Sequence, residues 1–144
     1  MKISYDIPQL LLRLALGLGF IFPVLDRIGW LGAAGENGNA WGNWKNFVDY
    51  THTLMPYMSL SFTSIMAVLA TVGEAVFGIA LIIGYKTRPA AIGSCLLTLA
   101  FALSMLVFID YRAPFSYSVF TDSAASLLLA AIPQYRWSLD AKQK

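Results

Sequence analysis

The chain has 144 residues, 58% of them hydrophobic and only 12% charged, with a formal net charge of +2 and a mean hydropathy of +0.63. That composition leaves too little polar surface for a soluble domain, and basic residues this few and dispersed exclude nucleic acid as a partner. A single cysteine and a single histidine exclude an intrachain disulfide, a CxxC thiol site, a bis-histidine haem and a multi-histidine metal centre.

Four long apolar runs organise the chain, at about 7–25, 60–83, 89–109 and 118–137. At a rise of about 1.5 Å per residue, the first three are long enough to cross a hydrocarbon core about 30 Å thick. The fourth reaches that length only if it continues through Pro133 and Tyr135 to Trp137. Inside a bilayer each backbone amide must be satisfied within its own segment, so these runs predict helices. The expected fold is all-α: one polytopic domain over 1–144, a four-transmembrane-helix bundle with a short amphipathic helix in its first extracytoplasmic loop.

The first run opens with Asp6 as a candidate cap and Pro8 at an early helical position, and Pro23 should kink or end its last turn. Gly32-Ala33-Ala34 looks like a signal-peptidase site, but Asp26, Arg27 and Trp30 intervene, so the run reads as a retained helix. The loop at about 26–59 begins with a turn-rich stretch from Gly32 to Asn39. Beyond it Trp44, Phe47, Val48, Thr51 and Met55 recur at helical spacing. This reads either as a helix lying on the membrane surface or as one packed over the mouth of the bundle. Trp30, Trp41, Trp44 and Trp137 are the expected membrane-interface anchors.

In the second run Ala67, Ala70, Thr71, Glu74 and Gly78 share one stripe. Small residues on one face let helices approach closely, which turns Glu74 toward the bundle interior. Gly17 and Gly19 of the first run are expected to serve close packing too. Cys95, midway along the third run, reads as a small buried hydrophobe.

An even number of crossings puts both termini and the Tyr85–Arg88 turn on one side, with Lys2, Lys86, Arg88, Arg136, Lys142 and Lys144. The positive-inside rule then places both termini in the cytoplasm and the loop at about 26–59 on the opposite, outer side.

Two groups of charges are candidate sites. Glu74 lies about 15 Å and Arg13 about 8 Å from the cytoplasmic end of their helices, a difference that an arginine stem can bridge. A buried Arg13–Glu74 pair would serve either as a polar contact or proton relay for a lipid-soluble substrate such as a quinone, or as a structural ion pair. The outer rim gathers Asp26, Arg27, Asp110, Arg112 and Asp122, either as an ion-pair belt or as the lining of a mouth for a polar substrate. Asp122 falls in a first helical turn, where the macrodipole favours an acid. The parallel endings Asp26-Arg27 and Asp110-Tyr111-Arg112 hint at a duplicated hairpin.

Three features carry a family resemblance. Leu12-Arg13-Leu14-Ala15-Leu16-Gly17 lies in the first helix, which is followed at its end by a basic position, Arg27, and Gly73-Glu74-Ala75-Val76-Phe77-Gly78 runs on to Gly84-Tyr85-Lys86-Thr87-Arg88, a Gly-x-x-Thr-Arg turn. With the overall layout, these resemble the DoxX family of small bacterial four-helix membrane proteins. Pro23 and Asp26-Arg27 depart from that family's usual glycine and lysine at the end of the first helix. The resemblance implies a compact membrane bundle with Arg13 and Glu74 as its matching polar positions. Some relatives are subunits of a thiosulfate:quinone oxidoreductase and others belong to oxidative-stress complexes. The expected role is therefore a membrane subunit of a quinone-linked oxidoreductase system, with lipid and other membrane subunits as partners. No cofactor is expected to be held covalently or by metal ligation, and quinone is the candidate diffusible one. A non-catalytic accessory subunit and a small-solute transporter are the alternatives.

Overall fold

The computed structural model of the protein describes residues 4–142; Lys2 and Lys144, counted in the orientation argument, lie outside the described residues. The structure is all-α. Its helices are α1 (Asp6–Arg27), α2 (Trp44–Leu54), α3 (Leu60–Ile83), α4 (Thr87–Phe108), α5 (Ala113–Ser116), α6 (Val119–Ala131) and α7 (Leu139–Lys142). Of these, α1, α3 and α4 are long and apolar enough to cross a membrane, and α6 is a shorter apolar helix. Helices α1, α3, α4 and α6 pack around a ring in that order, and α2 lies across α3.

The burial pattern is that of a multi-pass membrane protein. Leu18, Leu69, Val76, Leu96, Val107 and Leu128 are exposed, while Gln9, Arg13, Thr63, Ser94 and Ser126 are fully buried. Lipid tails are as apolar as leucine, so the helices gain little from hiding leucines and cohere through close approach and internal polar contacts. Gly17 and Gly78 make that approach for α1 and α3. A Cβ on Gly17 would meet Ile82 Cγ1 at 2.6 Å and the Gly78 carbonyl at 2.9 Å. Gly19 has nothing within 4 Å of such a Cβ, so the packing role expected of it falls to Gly17 alone. The buried hydroxyls of Ser94 and Thr98 donate to carbonyls one turn back in their own helix.

Several boundaries differ from expectation. Asp6 is the first helical residue rather than a cap; Tyr5 is the N-cap, and the Asp6 carboxylate accepts from Arg136 instead. Pro23 neither ends α1 nor breaks it, and the helix runs on to Arg27. The fourth run does not reach Trp137. It begins after Ser118, which takes left-handed backbone angles, and stops at Ala131 because Pro133 holds Ile132 extended. Beyond it, residues 132–142 return across the end of the bundle that carries the α3–α4 turn.

Helix α2 forms where the periodicity placed it, capped by the Asn43 side chain accepting from the Asn46 amide at 2.9 Å. Phe47, Val48, Thr51 and Leu54 are buried, and Phe47 and Val48 cluster with Ala67 of α3. His52 Nδ1 and Thr63 Oγ1 lie 3.2 Å apart across the same seam. Of the two readings, α2 takes the second and roofs the loop end of the bundle.

Candidate functional site

The roof closes over a cavity of about 760 Å³ at the loop end. Its polar wall is built by Arg27 and Glu74. The register between α1 and α3 brings them together. Arg13 lies level with Leu81 and Gly17 with Gly78, so α1 ends well short of the outer end of α3. From that low position Arg27 extends inward rather than outward. Its Nη1 donates to Thr71 Oγ1 at 3.1 Å and lies 2.6 Å from Glu74 Oε2. The guanidinium sits 3.8 Å from the Phe47 ring centroid and 5.0 Å from that of Trp41, so the roof of α2 covers the charge with aromatic faces.

The pair is almost completely buried, Arg27 at 3% and Glu74 at 4% exposure. It is also incompletely satisfied. Among the described residues Arg27 Nε has no hydrogen-bond partner, and Glu74 Oε2 has the ionic contact without an aligned hydrogen bond. Such groups are costly to hide and are expected to serve a purpose where they persist. Phe20, Phe101 and Met105 give the cavity apolar surface, while Tyr50, Tyr117 and Asp122 lie on its other walls. Burial raises the Tyr50 hydroxyl pKa above its ordinary value, and Tyr117 adds to the shift. Tyr50 therefore remains a protonated donor at any physiological pH. A concave site of this volume, mainly apolar with a few converging polar groups, suits one small, mainly apolar molecule that carries polar groups of its own.

The Arg13–Glu74 pair proposed from helix depth does not form. Arg13 is fully buried at the opposite end of α1 and is bound by neutral acceptors. Its Nε donates to the Leu81 carbonyl at 2.9 Å and its Nη2 to the Ile82 carbonyl at 3.1 Å. Its Nη1 reaches the Arg136 and Trp137 carbonyls at 3.2 and 3.4 Å and Gln9 Oε1 at 3.4 Å. The carbonyls at the end of α3 are those a helix leaves without internal partners, and a cation is favoured there. Arg13 is thus a clamp joining α1, the end of α3 and the returning C-terminal segment. Gly84 makes room for it: at φ +71°, its missing Cβ would land on the Arg13 guanidinium and on Ser138.

The outer-rim charges do not form one cluster either. Asp26 turns away from Arg27 and accepts from the backbone amides of Ala40, Trp41 and Gly42 at 2.8, 3.1 and 2.7 Å. It anchors the loop that carries the roof. Asp110 accepts from the Arg112 amide at 2.7 Å, and Arg112 Nε donates to the Tyr111 hydroxyl at 2.8 Å, all exposed. The two acid–arginine endings are therefore used differently. Asp122 does lie in the first turn of α6. Among the tryptophans, Trp30 and Trp137 are exposed, whereas Trp41 and Trp44 pack inward on Phe47, 5.1 and 5.7 Å between centroids.

The family model DoxX matches residues 9–107. The chain belongs to the DoxX family. No curated protein and no solved structure matches it. The DoxX match spans Arg13, Arg27, Glu74 and Gly84, and so both the clamp and the buried pair. It leaves out α5, α6 and the returning segment, which in this DoxX protein complete the cavity with Tyr117 and Asp122 and the clamp with two carbonyls.

Proposed function

We propose that the protein is an integral membrane subunit of a quinone-linked oxidoreductase system, and that the loop-end cavity receives the quinone head group. One observation carries this reading: a buried ion pair, with Arg27 Nε and Glu74 Oε2 both lacking hydrogen-bond partners, in the wall of a cavity otherwise lined largely by aromatic and aliphatic side chains. A quinone ring presents carbonyl acceptors and a flat apolar face. Arg27 supplies a donor for a carbonyl, Tyr50 a second donor, and Glu74 a carboxylate able to take a proton from a hydroquinone hydroxyl. The chain has one cysteine and one histidine, so this reading assigns the electrons to a cofactor-bearing partner subunit.

The same reading places four crossings in the bacterial inner membrane with both termini cytoplasmic. At about 1.5 Å per residue α6 alone is too short to span. The fourth crossing is then α5 and α6 together, broken at Ser118 beside the cavity. The cavity accordingly faces the outer half of the bilayer.

The test is tryptophan-fluorescence quenching by a short-chain quinone, using the protein in nanodiscs and Trp41 as the reporter in the cavity wall. Losing a charged partner should weaken binding by about tenfold or more in Glu74→Gln. Tyr50→Phe, which leaves the ion pair intact, should weaken it by a smaller factor. Unchanged affinity in both variants sinks the assignment. Stoichiometric recovery with a larger membrane complex but no quinone enrichment would make the chain a structural subunit instead.

A further inference from the structure

The termini end of the bundle carries a second cavity, of about 490 Å³, for which neither the clamp nor the quinone reading has a use. Lys86, Thr87 and Arg88 of the α3–α4 turn form one wall, and Tyr135, Arg136 and Asp140 of the returning segment form another. Its charge is one-sided. Among the described residues Asp140 is the only carboxylate in the lining, and its two oxygens already accept from the amides of Lys86 and Thr87 at 2.7 and 2.8 Å. Arg136 is engaged by Asp6 at 2.6 Å.

Lys86 and Arg88 have no carboxylate partner among the described residues. Arg88 makes one long hydrogen bond, 3.4 Å, to the Ile132 carbonyl, and the Lys86 ammonium rests 5.7 Å from the Tyr85 ring centroid. The Thr87 hydroxyl is buried in the same wall, beside Asp140, without an aligned hydrogen bond among the described residues. Two unpaired cations beside an unpaired hydroxyl, in a concave site with its one carboxylate already occupied, are complementary to a phosphate group.

The geometry points to the head group of an anionic phospholipid as the ligand of this cavity, with Lys86 and Arg88 as its charge partners. A lipid rather than a soluble phosphate is indicated by position. The cavity lies where the apolar helices α3 and α4 end, with Ile83 and Ile92 exposed just inward of it. Tyr85 and Trp137 are exposed at the same level, as aromatic side chains are at a membrane interface. A bound phosphate also supplies the charge partner that Lys86 and Arg88 lack. It joins the α3–α4 turn to the returning segment in parallel with Asp140.

The test combines native mass spectrometry with thermal unfolding of the detergent-solubilised full chain, titrated separately with phosphatidylglycerol, phosphatidylcholine and inorganic phosphate. Phosphatidylglycerol should remain bound and raise Tm, and phosphatidylcholine should do neither. The double variant Lys86→Asn/Arg88→Gln should weaken phosphatidylglycerol binding by roughly tenfold or more. Both side chains are exposed, and asparagine tolerates the left-handed angles of position 86, so its lipid-free Tm should match that of the parent. A control of equal charge change at the other end, Lys45→Asn/Arg112→Gln, should leave binding intact. Equal binding of the zwitterionic lipid, retained affinity in the first variant, or equal loss in the control would each overturn the site. An equal effect of inorganic phosphate would overturn its assignment to lipid.

Discussion

Arg27 closes α1 and Glu74 lies midway along α3, yet Arg27 Nη1 and Glu74 Oε2 meet at 2.6 Å in the interior. The contact depends on α1 ending low in the bundle and on the aromatic roof that shields the guanidinium. Breaking it from one side leaves an uncompensated buried charge, at a cost of about 3–5 kcal/mol. Replacing both partners with apolar residues of similar size removes the charge altogether. Arg27→Ala should therefore lower Tm strongly, and Arg27→Met/Glu74→Leu should recover most of the loss while binding no quinone. Thermal unfolding of the single and double variants measures the coupling.

Asp26 is expected to matter to the loop rather than to any substrate. Asp26→Ala removes three backbone hydrogen bonds to a carboxylate, each worth about 1.5–3 kcal/mol when a charge is involved. Hydrogen exchange at Ala40, Trp41 and Gly42 should quicken, and the 29–54 roof should become protease-sensitive. The α3–α4 turn should keep its protection.

Gly84→Ala tests the opposite end. The new methyl group would have to occupy the space of the Arg13 guanidinium, on a backbone with left-handed angles. The substitution should destabilise by more than about 1 kcal/mol. It should also release the returning segment, read as faster proteolysis between Ile132 and Leu139.

The Asp140 carboxylate gives this end a dependence on acid. Burial works to raise its pKa, but the hydrogen bonds from Thr87 and Lys86 and the charge of Arg13 outweigh burial and hold it below the ordinary aspartate value. A group with a depressed folded-state pKa stabilises the fold fully above its unfolded value, about 3.9, and loses that contribution as pH falls through the folded value. Tm should accordingly fall below about pH 4 in the parent. In Asp140→Asn it should start lower and change less over the same interval.

Much of this molecule can be read from residue order. The apolar runs give α1, α3 and α4 to within a few residues, since a bilayer admits no other way to satisfy a spanning backbone. The period of Trp44, Phe47, Val48 and Thr51 gives α2, and the small-residue stripe places Glu74 inside. The start of α6 matches the run's start at 118, but its stop at Ala131 is not legible, because composition alone lets the run continue through Pro133 to Trp137.

The ion partner of Glu74 was a tertiary decision. Counting residues from a helix end gives depth but neither the stagger of one helix on another nor the acceptors a neighbour offers. Arg13 is drawn to the free carbonyls at the end of α3, and Arg27, left short of the surface and roofed by Phe47 and Trp41, turns inward to the acid. The sequence by itself determined that Arg13 and Glu74 must be buried, because it set them within apolar spans; Arg27, just past the end of one, carried no such mark. Only the packing of α1 on α3 decided which of them meet, because that choice depends on register and on who else is near.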